Sequence, residues 1–211
     1  MDEIRKEIEK FNGLLDRETA YLLVMEKKGK LKRKKIKDLK KGKASLIAKI
    51  ESIGRKRENF INMVIGDETG HCILKLWDYL TNIAKYLKEG DIIRIANGWI
   101  KKGVYGTEIN VGKYGIIEKL NGRIETKLEF GIKEGIFNLK GVLRKKYPTN
   151  VYFQNKEKFV AKIFLDEHEI LLFDERARDI QKFKEGDEVV LFWLYKGNKI
   201  YATDFSRIKE P

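Results

Sequence analysis

Gly66-Asp67-Glu68-Thr69-Gly70, Leu74-Lys75-Leu76-Trp77-Asp78 and, after a short helical segment, Lys88-Glu89-Gly90-Asp91 make up the stretch on which the fold turns. Gly66 to Gly70 is expected to be a tight turn, with glycine supplying positive φ and Asp67 and Thr69 bonding local backbone. Residues 73–77 then alternate. Leu74 and Leu76 share one face of a strand, and Ile73, Lys75 and Trp77 share the other. With the leucines in a core, Lys75 and Trp77 stand side by side on the outside. A cation beside a flat ring on an open sheet suits a phosphate and a stacked base. The pair alone fits better a strand with one solvated lysine and a tryptophan packed beneath a loop, since Trp is highly buried on average.

The stretch occurs twice. Leu172-Phe173-Asp174, a helical segment and Lys184-Glu185-Gly186-Asp187 repeat Leu76-Trp77-Asp78 and Lys88 to Asp91 at an offset of 96 residues. Upstream, Gly42 and Leu46 to Ile50 answer Gly135 and Leu139 to Leu143 at an offset of 93. A period this long is a duplicated small domain rather than a solenoid unit. The expected division is 1–35, a helical lead-in and basic linker, then 36–120 and 125–211, one barrel each.

In the first repeat the expected strands are Ala44–Ile53, Phe60–Ile65, Cys72–Trp77, Asp91–Ile100 and Thr107–Val111. The helix is expected near Tyr79–Leu87 with Asp78 as its cap. Three strands, a helix and two strands in a short span is the order of the oligonucleotide-binding (OB) barrel, whose face and two flanking loops hold single strands. Those loops are basic here: Arg55, Lys56 and Arg57 in one, Lys101 and Lys102 in the other. Phe60 opens the second strand. Arg94 is out of phase with Ile93 and Ile95 and is expected beside Lys75 on the outer face. Trp99 is in phase with the core and is expected to be structural unless a bulge re-aims it. The fold class is mainly β: two tandem five-stranded OB barrels behind a short N-terminal helical hairpin.

The second repeat carries expected strands at Gly135–Leu143, Phe159–Leu165, Glu169–Phe173, Asp187–Tyr195 and Lys199–Phe205, with a helix near Glu175–Phe183. Leu171 stands where the first copy has Lys75, so this face is less basic, and Phe173 replaces Trp77. Arg144, Lys145, Lys146, Tyr147, Tyr152 and Phe153 interleave cations with rings in one loop, and Tyr195 and Lys196 do so in another. The same aromatics also fit an apolar patch for a protein partner.

Composition limits the partners. The chain of 211 residues carries a net charge of +13, which calls for a polyanion, nucleic acid before an anionic membrane. No apolar run has membrane-spanning length. The charged N-terminus lacks a signal-peptide core, and the single cysteine, Cys72, excludes a disulfide framework, so a reducing, cytoplasmic setting is expected. Residues 2–11 and 16–28 pattern as helices, with Asp16 a cap and Gly29 a stop. From Lys27 to Lys35, seven of nine residues are basic, a solvated linker or a phosphate-contacting arm. Abundant Lys, Glu and Ile with few Gln suggest a thermophile. No catalytic, metal or cofactor constellation is found. His71 and His168 fall in hairpin turns without a ligand neighbour, and the acidic residues occupy turns and caps.

Residues 60–111, through Gly66 to Gly70, Leu76-Trp77-Asp78, Gly90 to Ile95 and the strand from Tyr105 to Val111, resemble the DNA-binding barrels of archaeal replication protein A. Gly13 to Ala20 is similar to the lead-in before the first barrel of those proteins. The resemblance covers 13–118 well and 132–208 more loosely. It implies that Trp77 and Tyr105 stack on bases of single-stranded DNA; the want of a catalytic constellation speaks against an enzyme. Two departures stand out: the cysteine zinc module of larger members is missing, and the loop from Gly54 to Asn59 is short. The alternatives of other classes are an RNA- or tRNA-binding barrel protein and a scaffold subunit of a replication protein A-like assembly.

Overall fold

The computed structural model describes residues 2–30, 34–154 and 156–211. Of the basic run, Leu31, Lys32 and Arg33 therefore lie outside the described residues. The chain forms two compact units: Met1–Gly103 with Thr107–Lys127, and Val104–Gly106 with Leu128–Pro211.

The first unit opens with α1 (Asp2–Lys10) and α2 (Arg17–Lys27). Asp16 is the N-cap as expected, accepting a bond from the Thr19 backbone at 2.9 Å, and Gly29 at φ +69° ends the pair. Lys27–Glu7 and Lys28–Glu3 ion pairs tie the two helices together. Leu15, Ala20 and Leu23 pack with Ala96 and Ile116, so the hairpin docks its apolar stripe on the barrel behind it.

The barrel consists of β1 (Gly42–Ile53), β2 (Phe60–Asp67), β3 (Gly70–Trp77), β4 (Ile92–Gly103) and β5 (Gly106–Val111). The ring order is β1-β2-β3-β5-β4, closed by β1 against β4, with β3 and β5 parallel. Leu46, Ala48, Ile50, Met63, Ile65, Leu74, Leu76, Ile93 and Ile95 fill it. A sixth strand, β6 (Ile116–Leu120), adds antiparallel to β4. The helical segment is shorter than expected: α3 (Leu80–Ile83) and a 3-10 turn, Ala84–Tyr86. Asp78 does not cap it with its side chain. It sits at φ +52°, and its carbonyl accepts from Thr81.

The second unit repeats the plan with β7 (Ile136–Lys146), β8 (Asn150–Gln154), β9 (Lys156–Leu165), β10 (His168–Phe173), α4 (Glu175–Asp179), β11 (Glu188–Lys196), β12 (Ile200–Ala202) and β13 (Arg207–Lys209). Its ring is β7-β9-β10-β12-β11, with β10 and β12 parallel, β13 on β11, and β8 as an outer strand on β9. Thus Tyr152 and Phe153, expected in a loop, lie on a hairpin strand.

Duplication reaches the irregularities. On β4, Ala96 and Asn97 oppose Ser45 alone; on β11, Phe192 and Trp193 oppose Asn138 alone. Asn97 and Trp193 take φ +55° and +59°, and each backbone N–H is met by the side chain opposite, Ser45 at 3.4 Å and Asn138 at 3.1 Å. Glu51 and Arg144 are the matching extra residues on β1 and β7. Such bulges bend a strand so that a short barrel can close. The Lys-Glu-Gly-Asp turns also match. Asp91 accepts from the Lys88 backbone at 2.9 Å and Asp187 from Lys184 at 2.7 Å, with Gly90 and Gly186 at φ +95° and +100°.

In the Gly66–Gly70 turn, Asp67 is fully buried and accepts from Thr69 at 2.7 Å and from Ile36 at 2.9 Å. Gly66, however, is an extended strand residue. Its role is close approach: a Cβ there would stand 2.5 Å from the His71 ring. His71 and His168 are likewise strand residues, the second of β3 and the first of β10, not loop residues.

Candidate nucleic-acid interface

Strand alternation carries Phe60 on β2 and Trp77 on β3 to the outside, where the ladder pairs them directly. Their ring centroids are 5.3 Å apart at an interplanar angle of 48°. The Lys75 ammonium lies 4.4 Å from the Phe60 centroid and 5.1 Å from that of Trp77. Two rings thus present one negative π-surface to one cation. The indole is half-buried rather than sealed, and its Nε1–H donates to Asn110 Oδ1 at 3.0 Å. Asn62 and Asn110 stand on either side of Lys75, opposite it on β2 and β5. Asn62 is only 8% exposed. Alternation turns both outward, Asn62 in phase with Phe60, but only the strand pairing brings them to Lys75.

Arg55, Lys56 and Arg57 are exposed in the β1–β2 connection, and Lys56 reaches Asn82 at 3.4 Å. Lys101 and Lys102 are exposed, but they end β4 rather than form a loop. Two residues depart from expectation. Arg94 does point away from the core, yet it is 7% exposed, because α2 and β6 cover that side. It bonds Glu118 at 2.9 Å and faces Glu26 at 3.7 Å, so it is an internal ion-pair residue and no part of the open face. Trp99 is 49% exposed instead of structural, since the bulge at Ala96–Asn97 shifts the phase and brings Ile100 inward in its place. Tyr105 falls with the second unit, its ring edge-on to Tyr195 at 4.9 Å and to Phe205 at 5.1 Å.

The second barrel builds its outer face differently. Phe173, 37% exposed, stacks on Tyr201 at 6.1 Å, and Tyr201 on Tyr195 at 5.1 Å. Leu171 indeed holds the position of Lys75, but Lys162 stands directly across the ladder from it and keeps a cation on this face. The Lys162 ammonium lies 4.1 Å from the Tyr147 ring, which Lys145 also approaches at 4.8 Å. Lys162 and Tyr201 are legible only once strands are paired. Lys146 is tied to the Phe183 carbonyl at 2.7 Å and Arg144 approaches Asp166 at 3.6 Å, whereas Tyr152, Phe153 and Lys196 are exposed.

Burial raises the thiol pKa of Cys72, and the charge of Asp67 adds to the shift, so this sulfur is an inert core group. Among the described residues no cluster of His, Cys, Asp and Glu could hold a metal ion, and no helix is long and apolar enough to cross a membrane.

A family model described as an OB-fold nucleic acid binding domain matches residues 44–117, the first barrel. No curated protein matches the chain. Among solved structures, the chain is similar to one of a replication protein A heterotrimer bound to ssDNA, at 12% identity and a TM-score of 0.50 over 84% of this chain and 52% of that one. It therefore spans about half the length of that protein. A replication factor A related protein from Methanobacterium thermoautotrophicum matches 43% of the chain and 92% of its own length at 25% identity and a TM-score of 0.39. Schizosaccharomyces pombe Pot1pC bound to ssDNA matches 43% and 88% at 15% identity and a TM-score of 0.39. The match falls on the first of the two closed five-stranded barrels, and the shared fold is the OB fold.

Proposed function

We propose that the chain binds single-stranded DNA with little regard to sequence, as a replication protein A-type protein that protects exposed strands in replication, repair and recombination. The observation that carries this reading is the Lys75 ammonium held over the paired rings of Phe60 and Trp77 on the outer face. A base stacks on the ring surface, and the displaced ammonium moves to a neighbouring phosphate. Arg55, Lys56, Arg57, Lys101 and Lys102 continue the phosphate contacts and release counterions. Trp99 joins them as a further exposed ring.

The second barrel adds the Phe173–Tyr201–Tyr195 ladder, with Lys145, Lys162 and Tyr147 beside it and Tyr152, Phe153 and Lys196 exposed for further contact. Tyr105 keeps a role only through that ladder. No step calls for a cofactor or a reaction.

The test is a titration of the chain with oligo-dT, a duplex and RNA of equal length. Tight binding of oligo-dT with weaker duplex binding is expected; equal affinity for all three would overturn the reading. Preference for RNA in the same competition would favour an RNA-binding protein instead.

A further inference from the structure

Beneath the two rings lies a polar row that stacking does not use. Asn62 on β2, Lys75 on β3 and Asn110 on β5 share one line across the outer face of the first barrel. Oδ1 of Asn62 and Nδ2 of Asn110 are buried, and neither has a hydrogen-bond partner among the described residues. The Asn110 amide orientation is fixed, because its oxygen accepts from the Trp77 indole, which leaves the amide nitrogen as the idle donor. An idle donor and an idle acceptor thus flank one lysine, whose ammonium rests over the rings. Leaving buried polar groups unbonded costs stability, so the pair calls for partners, water in the free protein or a ligand that displaces it.

We propose that Asn62 and Asn110 are a base-edge contact pair. A nucleobase stacked on Trp77 takes the place of the Lys75 ammonium, accepts from Asn110 Nδ2 and donates to Asn62 Oδ1. Neighbouring strands are about 4.8 Å apart, so the two backbones are separated by about 10 Å, enough to bracket a base edge. The Watson–Crick edge of every DNA base carries a donor next to an acceptor: N6–H and N1 of adenine, N4–H and N3 of cytosine, N1–H and O6 of guanine, N3–H and O4 of thymine. The pair therefore checks for an unpaired base without choosing which one. A duplex, whose edges are already bonded, is refused. This inference rests on the proposed function, and the test separates the two.

The probe is oligo-dT beside the same oligomer with every thymine replaced by its apolar isostere, the 2,4-difluorotoluene nucleoside, which stacks but does not hydrogen-bond. The ratio of the two affinities is measured for the wild type, Asn62→Leu and Asn110→Asp. Leu matches the shape of Asn, and Asp still accepts from the indole; unchanged thermal unfolding checks that both fold. The wild type is expected to lose about tenfold more affinity on isostere substitution than either variant does, the size of one or two net hydrogen bonds. Equal ratios in all three proteins, with oligo-dT bound tightly, overturn the contact pair and leave the stacking site intact. Failure of the wild type to bind oligo-dT removes both.

Discussion

Trp77 owes its place to strand parity. Residues 73 to 77 alternate, the leucines enter the core, and the indole comes out beside Lys75. Trp77→Ala is expected to weaken binding of oligo-dT by about 1–3 kcal/mol, the usual worth of one stacked base, without changing the unfolding temperature appreciably. Fluorescence anisotropy with a labelled oligomer measures it. Lys75→Ala should weaken binding less and flatten its salt dependence by about one phosphate's share. Parity also shows why other residues were misread. It tells which side of a strand a residue takes and nothing of what lies above that side. Alternation turns Arg94 outward, but Glu118 on β6 and Glu26 on α2 enclose it. Counting from Ile95 puts Trp99 in the core, but the bulge at Ala96–Asn97 breaks the count between them. Asn62 and Asn110 become a pair only through the β2–β3–β5 register, which no local pattern reports.

Elements were legible where their ends carry chemistry. The Lys-Glu-Gly-Asp turns were visible twice because each needs a left-handed glycine and an aspartate that bonds back three residues. Asp91→Ala and Asp187→Ala should each cost roughly 1 kcal/mol by denaturant unfolding, the range of a lost local side-chain bond. The strands β6, β8 and β13 escaped notice. The short runs of all three lack clean alternation, and β6 and β13 pair with strands well back in the chain. The helical hairpin depends on carboxylates. Bonds from the Thr19 backbone and side chain, with Lys43 nearby, lower the pKa of Asp16 despite some burial. Burial alone would raise Glu118, but Lys10 and Arg94 outweigh it and hold it below the ordinary value. A lowered carboxylate stabilises the fold above its unfolded pKa, and that stability is lost as pH falls through the folded value. The hairpin should thus loosen below about pH 4, seen as faster hydrogen exchange in α1 and α2, and Asp16→Asn should blunt the change.

The two barrels share their ring order, both bulges and the helix-to-strand turn, yet their outer faces have diverged. One holds an indole pinned to an asparagine; the other stacks Phe173 on Tyr201. The duplication was readable at the level of the molecule because its turns repeat. The change in surface chemistry was not, since a cation has moved from β3 to the strand opposite. With a net charge of +13, the whole chain should bind single strands with an affinity that falls steeply with salt, the log–log slope growing by about −0.7 for each phosphate neutralised. Linked sites make a second contact intramolecular, so an oligomer long enough to engage both barrels should bind far more tightly than one that fills a single barrel.

The most direct measurement uses the emission of Trp77 itself. In a Trp99→Phe/Trp193→Phe variant it is the sole indole of the three. Addition of oligo-dT should quench that emission in step with binding followed by anisotropy. Binding that leaves the emission of Trp77 unchanged would contradict a base stacked on this face.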